Sequence, residues 1–264
     1  PQHDGTTPQH GFVTLFETPG AGLGLVWLDG RAQKAAASDP NAGTMGLYAT
    51  QFDANWKQGP ETLVNGRVCE CCQTSVAATS TGLLTAFRDR SAAEVRDIAV
   101  ARLENGTWSG AQVVHPDNWM IEACPVNGPA VSARGNQVAI AWFTAAGDTP
   151  RAFAAFSQDG GQTWSAPVRV DEASTEGKVD IELLADGSAA VSWVEFANEQ
   201  SSLQVRRVEA TGARSAPVKI STGFVRGYPR MVQWGGSLYF AWSEPGAVGE
   251  TFQMAVGRLP GGSR

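Results

Sequence analysis

Residues 138–170, VAIAWFTAAGDTPRAFAAFSQDGGQTWSAPVRV, set the pattern for the chain. An alternating apolar run, VAIAWFTA (138–145), carries an aromatic near its end, Trp142. A polar turn follows, then a second run, RAFAAFSQD (151–159), and then a short WSAPVRV segment (164–170). Successive side chains of a strand point to opposite faces, so runs of period 2 split by Gly, Pro, Asn and Asp read as strands. The same order recurs in LGLVWLDGR (23–31), LLTAFRDR (83–90), AAVSWVEF (189–196) and LYFAWSEP (238–245). The aromatics Trp27, Phe87, Trp142, Trp193 and Trp242 are about 50 to 60 residues apart, a period that signals a propeller or a solenoid. A second strand follows each: MGLYATQF, DIAVARLEN, RAFAAFSQD, LQVRRVEA and FQMAVGRL. No stretch holds a 3.6-residue period. The unit is therefore a four-stranded antiparallel meander, and four strands per repeat describe a propeller blade. The expectation is an all-β propeller of five blades in residues 1–264, one domain, with inner strands that include 74–79, 129–133, 180–184 and 230–234. Ring closure is expected where strands in 10–31 lie beside the last strand, 252–259. PQHDGT (1–6) reads as the tail of a lost outer strand, which would fit a longer parent with six blades.

The turn SQDGGQTW (157–164) fits S-x-D-x-G-x-T-W through Ser157, Asp159, Gly161, Thr163 and Trp164. It resembles the Asp-box of the sialidase superfamily of propellers. Asp159 is suited to accept turn amides, Gly161 to take an unusual φ, and Trp164 to pack between sheets. Degenerate copies stand at 52–60 with Asp53 and Trp56, at 103–111 with Gly106, Thr107 and Trp108, and at 209–217 with Gly212. The resemblance places this turn on the face opposite an active site.

A meander puts the loop entering each inner strand and the loop leaving each second strand at one end. The entering loops bring His10, Cys69–Cys72, Cys124 with Asn127, Lys178 with Asp180, and Arg226, Tyr228 and Arg230. The leaving loops bring Asp29, Arg31, Arg88, Asp89, Arg90, Glu195 and Glu244. Polar groups are thus biased to one mouth, as a ligand site requires. Each group also has an ordinary reading: the Arg-Asp-Arg run as a solvated ion-pair cluster, Glu195 and Glu244 as loop acids, Tyr228 as a packed aromatic.

Three functions compete. The first rests on RVCECCQTS (67–75), where three of the four cysteines fall within four positions. Cys69, Cys71, Cys72 and Cys124, with His10 as a further ligand, are the expected soft metal site. In an extended segment Cys69 and Cys71 point the same way and present two thiolates to one ion. Thiolates select copper or zinc over hard ions, and the spacing departs from a zinc finger, which favours copper. The second follows from the resemblance: a sialidase-like glycoside hydrolase, with Tyr228 as nucleophile, Glu195 as its base, Asp180 or Asp89 as the acid, and Arg88, Arg90 and Arg230 clamping a substrate carboxylate beside Asn127. FRDR (87–90) departs from the family's Arg-Ile-Pro motif, and the cysteines have no part in that chemistry. The third is a non-catalytic glycan- or protein-binding propeller, with Trp119 as an exposed stacking aromatic and Cys69 or Cys71 bridged to Cys124.

The net charge of −6 and the absence of a basic stripe argue against a nucleic-acid partner. No apolar run approaches the ~20 residues of a transmembrane span. No signal peptide is visible, and a start at PQHDG fits a processed or truncated chain. A Trp-rich, Lys-poor composition together with the resemblance leads to an expected periplasmic or secreted location.

Overall fold

A computed structural model of the chain describes residues 10–18, 22–34, 43–221 and 223–258. It is built of antiparallel sheets in chain order. Sheet 1 holds β1 (His10–Thr18), β2 (Gly22–Asp29), β3 (Met45–Phe52) and β4 (Thr62–Val68). Sheet 2 holds β5 (Ser75–Thr79), β6 (Gly82–Arg88), β7 (Ile98–Glu104) and β8 (Thr107–Trp108), with β9 (Gln112–Val113) also on β7. Sheet 3 runs β10 (Ala130–Arg134), β11 (Gln137–Thr144), β12 (Arg151–Ser157) and β13 (Val168–Arg169). Sheet 4 runs β14 (Ser174–Leu183), β15 (Ala189–Ala197), β16 (Gln200–Val208) and β17 (Val218–Lys219). Sheet 5 has three strands, β18 (Arg226–Trp234), β19 (Ser237–Pro245) and β20 (Glu250–Gly257). The inner strands expected at 74–79, 129–133, 180–184 and 230–234 are β5, β10 and the second halves of β14 and β18. β1 and β2 pair onward to β3 and β4, and β20 pairs β19. The segment 1–6, read as part of a lost strand, lies outside the described residues.

The chain divides into two compact units, residues 1–128 and 129–264. The first has a core between sheets 1 and 2, where Val26, Leu28, Leu47 and Ala49 meet Phe87, Ala99 and Ala101. In the second, Ala139, Ala141, Ala152 and Ala154 of sheet 3 face Ile181, Val191 and Trp193 of sheet 4. Small residues opposite large ones let the sheets interdigitate at native density. Leu203 and Val205 of sheet 4 join Met231, Leu238, Phe240 and Trp242 of sheet 5 in a further cluster.

One clasp recurs at the outer edge. The amide of Arg102 donates to Ser109 Oγ (2.9 Å), that of Phe156 to Ser165 Oγ (3.1 Å) and that of Arg207 to Ser215 Oγ (3.1 Å). Each serine amide donates back to the same residue's carbonyl, at 2.7, 2.8 and 3.0 Å. The serine replaces a ladder rung where the adjoining Gly-Ala or Ala-Pro cannot extend the strand, so the edge strands β8, β13 and β17 are two residues long.

The turn 157–164 is closed by Asp159. Its Oδ1 accepts from the amides of Gln162 (3.0 Å) and Thr163 (2.9 Å) and from Ser157 Oγ (2.7 Å), and its Oδ2 from Thr163 Oγ1 (2.6 Å). Gly161 takes φ +86°, where an L side chain is disfavoured, and its amide donates to Ser157 Oγ at 2.9 Å. Trp164 is half-buried. Asp53 repeats the device, accepting from the amides of Asn55 (2.9 Å) and Lys57 (3.0 Å).

Candidate metal centre

The loop 69–74 joins β4 to β5 within the first unit. It is tied at its start by the Cys69 amide, which donates to the Arg88 carbonyl at 3.0 Å. At its end Gln73 exchanges bonds with Gly128: the Gly128 amide donates to Gln73 Oε1 (2.8 Å) and Gln73 Nε2 to the Gly128 carbonyl (3.4 Å). Thr74 Oγ1 donates to the Phe12 carbonyl at 3.2 Å. Held so, the loop folds back on itself. Cys69 Sγ lies 3.2 Å from Cys72 Sγ and 3.7 Å from Cys71 Sγ. The three sulfurs all lie within 4.8 Å of one another. Cys69 and Cys72 are buried, Cys71 is half-buried and Cys124 is exposed. The i and i+2 pairing expected of an extended strand is therefore widened by a bend that turns Cys72 inward as well.

Hydrogen bonds from Cys71 and then Cys72 hold the Cys69 thiol far below its ordinary value, and Arg96 adds to the effect. Cys71 is pushed up, first by its bond to Cys69. Burial pushes Cys72 up to about 12. Arg96 Nη1 reaches Cys69 Sγ at 3.4 Å and its Nη2 donates to Glu94 Oε2 at 2.8 Å. Arg90 forks onto Glu94 through Nε (3.0 Å) and Nη2 (2.8 Å) and also pairs with Glu70. These pairings hold Glu94 down to about 2, its bond to Arg90 first.

Several expected ligand residues are occupied by the scaffold. Arg88 is buried and donates to the carbonyls of Asn127 (Nε, 2.8 Å) and Arg96 (Nη1, 2.6 Å). Its guanidinium stacks on Trp119, 4.9 Å from the ring centroid. Trp119, expected as an exposed stacking aromatic, is buried beneath Arg88; its amide and that of Asn118 both donate to the Asp97 carboxylate at 3.0 Å, which pulls the segment inward. Asn127 is buried, and its Nδ2 donates to the Pro125 carbonyl at 3.2 Å. Burial raises Asp89, which accepts from Asn65 Nδ2 at 3.3 Å. His10 stands outside the thiol group: its Nε2 pairs with Asp29 Oδ2 at 3.2 Å.

In the second unit, Glu195 accepts the Ala173 amide (2.7 Å) and the Trp193 indole N–H (2.5 Å). Asp180 accepts the amides of Ile181 (2.9 Å) and Met231 (2.8 Å), and burial raises its pKa. Arg230 is exposed, 3.9 Å from Asp180, and Tyr228 is half-buried on β18. Arg96, Glu94, Glu70, Gln73 and Gly128 were not foreseen. The crowding of charge in RDRSAAEVRD (88–97) is a visible signal for Glu94 and Arg96, and Glu70 and Gln73 stand inside the thiol-bearing stretch RVCECCQTS (67–75).

No family model matches the sequence. No curated protein matches it. Solved structures do resemble it. Kuenenia stuttgartiensis hydrazine synthase shares 12% identity over 83% of this chain and 60% of that chain, with TM-score 0.52. A family PL25 ulvan lyase shares 9% over 92% and 68%, with TM-score 0.51. The Bombyx mori GH32 beta-fructofuranosidase BmSUC1 shares 12% over 96% and 63%, with TM-score 0.50. The chain thus spans about three fifths of the length of the first and third of these. At such identities the likeness is one of fold, and it agrees with a propeller. Among the described residues no helix is long and apolar enough to cross a membrane.

Proposed function

We propose that this chain is a five-bladed propeller of the periplasm or extracellular space that holds a soft metal ion on Cys69, Cys71 and Cys72. The observation that carries this reading is the convergence of three sulfurs within 4.8 Å on one tethered loop. Thiolates favour Cu(I) and Zn(II) over hard cations. A structural zinc site wants four ligands, and three sulfurs with an arginine beside them suit Cu(I) better. On binding, the thiol protons leave and Arg96 offsets the charge that accumulates on sulfur. A glycoside hydrolase draws support from fold likeness alone, and Glu195 is spent on an amide and an indole.

The test is anaerobic titration of the reduced protein with Cu(I), in competition with a chromophoric chelator, and separately with Zn(II). The expected result is about one Cu(I) bound per chain, lost in the Cys69→Ser/Cys72→Ser variant. Uptake that survives that double substitution would overturn the reading. A second reading has one observation in its favour: the 3.2 Å approach of Cys69 and Cys72 sulfurs needs little movement to become a disulfide. A mass gain on reduction, mapped to the peptide with both residues, would establish it.

A further inference from the structure

We infer that the three gathered thiols also carry out thiol–disulfide exchange: a small-molecule disulfide enters at Cys71, and the loop ends with Cys69 and Cys72 joined and Cys71 a thiol, a state closed to the metal. The inference rests on the soft-metal reading above for what the exchange controls. Cys69, Glu70, Cys71 and Cys72 form one turn, with Glu70 and Cys71 at its centre. The first and fourth residues of such a turn have Cα atoms less than about 7 Å apart, and a disulfide spans about 4.4–6.8 Å. The sulfurs of Cys69 and Cys72 stand 3.2 Å apart. A bond between the sequence neighbours Cys71 and Cys72 would be strained. Cys69 is the shared member, 3.7 Å from Cys71 Sγ and 3.2 Å from Cys72 Sγ.

Exposure sets the order. Cys69 and Cys72 are 1% and 2% exposed, and Cys71 is half-buried. A disulfide arriving from solution therefore meets Cys71 first. Cys69 is the next sulfur within reach, and Arg96 Nη1 donates to it at 3.4 Å, which stabilises negative charge on an attacking sulfur. Arg96 is itself buried and bonds Glu94 at 2.8 Å, so this donor is fixed. The loop is tied at both ends, by the Cys69 amide to the Arg88 carbonyl and by Gln73 to Gly128. The pair thus closes between anchors that the exchange leaves unbroken.

Each step is a thiolate attack on a disulfide sulfur and conserves atoms and electrons. Cys71 attacks the small disulfide, written RSSR: a Cys71–SR bond forms, the RS–SR bond breaks, and one RSH leaves with the proton that Cys71 lost. Cys69 then attacks the Cys71 sulfur: a Cys69–Cys71 bond forms, the Cys71–SR bond breaks, and a second RSH leaves with the Cys69 proton. Cys72 attacks the Cys69 sulfur: the Cys69–Cys72 bond forms, the Cys69–Cys71 bond breaks, and Cys71 takes up the proton that Cys72 lost. Two thiols are oxidised and RSSR is reduced to two RSH. One sulfur of the three is left for a metal.

The experiment mixes the reduced, metal-free protein with hydroxyethyl disulfide, quenches with acid at intervals, and maps every sulfur by mass spectrometry. The expected product is the Cys69–Cys72 disulfide with Cys71 a thiol. Cys69→Ser is expected to stop at the mixed disulfide on Cys71. Cys71→Ser is expected to close Cys69–Cys72 about 10-fold or more slowly, because each buried sulfur is then reached only through local opening of the loop. Closure of Cys71→Ser at the parent's rate would overturn the order. Reagent found on Cys124 alone, with the other three thiols still reduced, would overturn the exchange. The oxidised protein is expected to take up about one tenth or less of the Cu(I) bound by the reduced protein, with uptake restored by dithiothreitol; equal uptake by both states would overturn the control of the metal. If neither state takes up Cu(I), the soft-metal reading itself fails, and the map of sulfurs still decides the exchange.

Discussion

Gly128 has no room for a side chain. A Cβ there would meet the Gln73 carbonyl oxygen at 1.9 Å, a contact between backbones that no rotamer relieves. Gly128→Ala is expected to cost about 1–3 kcal/mol of stability, the range for overpacking, and to lower metal uptake because the thiol loop hangs on the Gln73 bonds. Urea unfolding and the Cu(I) titration check this; unchanged values in both would contradict it. Asp180 offers a test with pH. Burial raises its folded pKa above the ordinary 3.8. Its contribution to stability is therefore fully present below that value and lost as pH rises through the raised one. Asp180→Asn should remove this loss, so the stability difference should move in the variant's favour as pH rises from about 4 to about 7. Urea midpoints that run parallel across that range would contradict it. The sequence shows the role of neither residue. GP at 128–129 reads as a loop before a strand, and Asp180 reads as a site acid; only the partners, 55 and 51 residues away, show what each does.

Strand elements carry a repeated device that alternation explains. Residues i and i+2 share a face, so an indole can donate to an acid two positions on. Trp27 donates to Asp29 (2.8 Å), Trp193 to Glu195 (2.5 Å) and Trp242 to Glu244 (2.7 Å). Each acid then fastens the preceding or following loop: Asp29 the Arg31 amide, Glu195 the Ala173 amide, Glu244 the Ser221 hydroxyl. The ordinary reading of Glu195 and Glu244 as loop acids agrees with these contacts. The turn 157–164 belongs to this scale too. Asp159→Ala is expected to cost about 1–3 kcal/mol through lost turn bonds, with Cu(I) uptake unchanged, as seen by urea unfolding and titration. A loss of uptake without a loss of stability would contradict it. The carboxylate is held down to about 2, the Thr163 hydroxyl bond first. Its contribution is present above the ordinary carboxylate range and lost as pH falls toward that value.

For the whole molecule, a soft metal that binds only the folded state adds stability by mass action. At a free Cu(I) concentration of 100 times Kd the gain should be about 2.7 kcal/mol. Amide exchange should slow most in 69–74 and in 118–128, which Gly128 ties to Gln73 of the thiol loop; no change in melting temperature with bound Cu(I) would contradict this. The sequence by itself determined an all-β architecture of antiparallel sheets and the turn chemistry, because period-2 alternation and Gly and Asp at turns act locally, within a few residues of where they are read. It also determined that CECC would gather sulfur, since three thiols in four residues cannot be far apart. Only the tertiary structure decided which groups share the site. Cys72 turns inward because the loop is tied to Arg88 and Gly128, Arg96 reaches Cys69 across 27 residues, Trp119 is drawn under Arg88, and His10 pairs with Asp29. Those outcomes depend on where separate strands end in space and on which polar groups burial forces to find partners, and no local pattern encodes either.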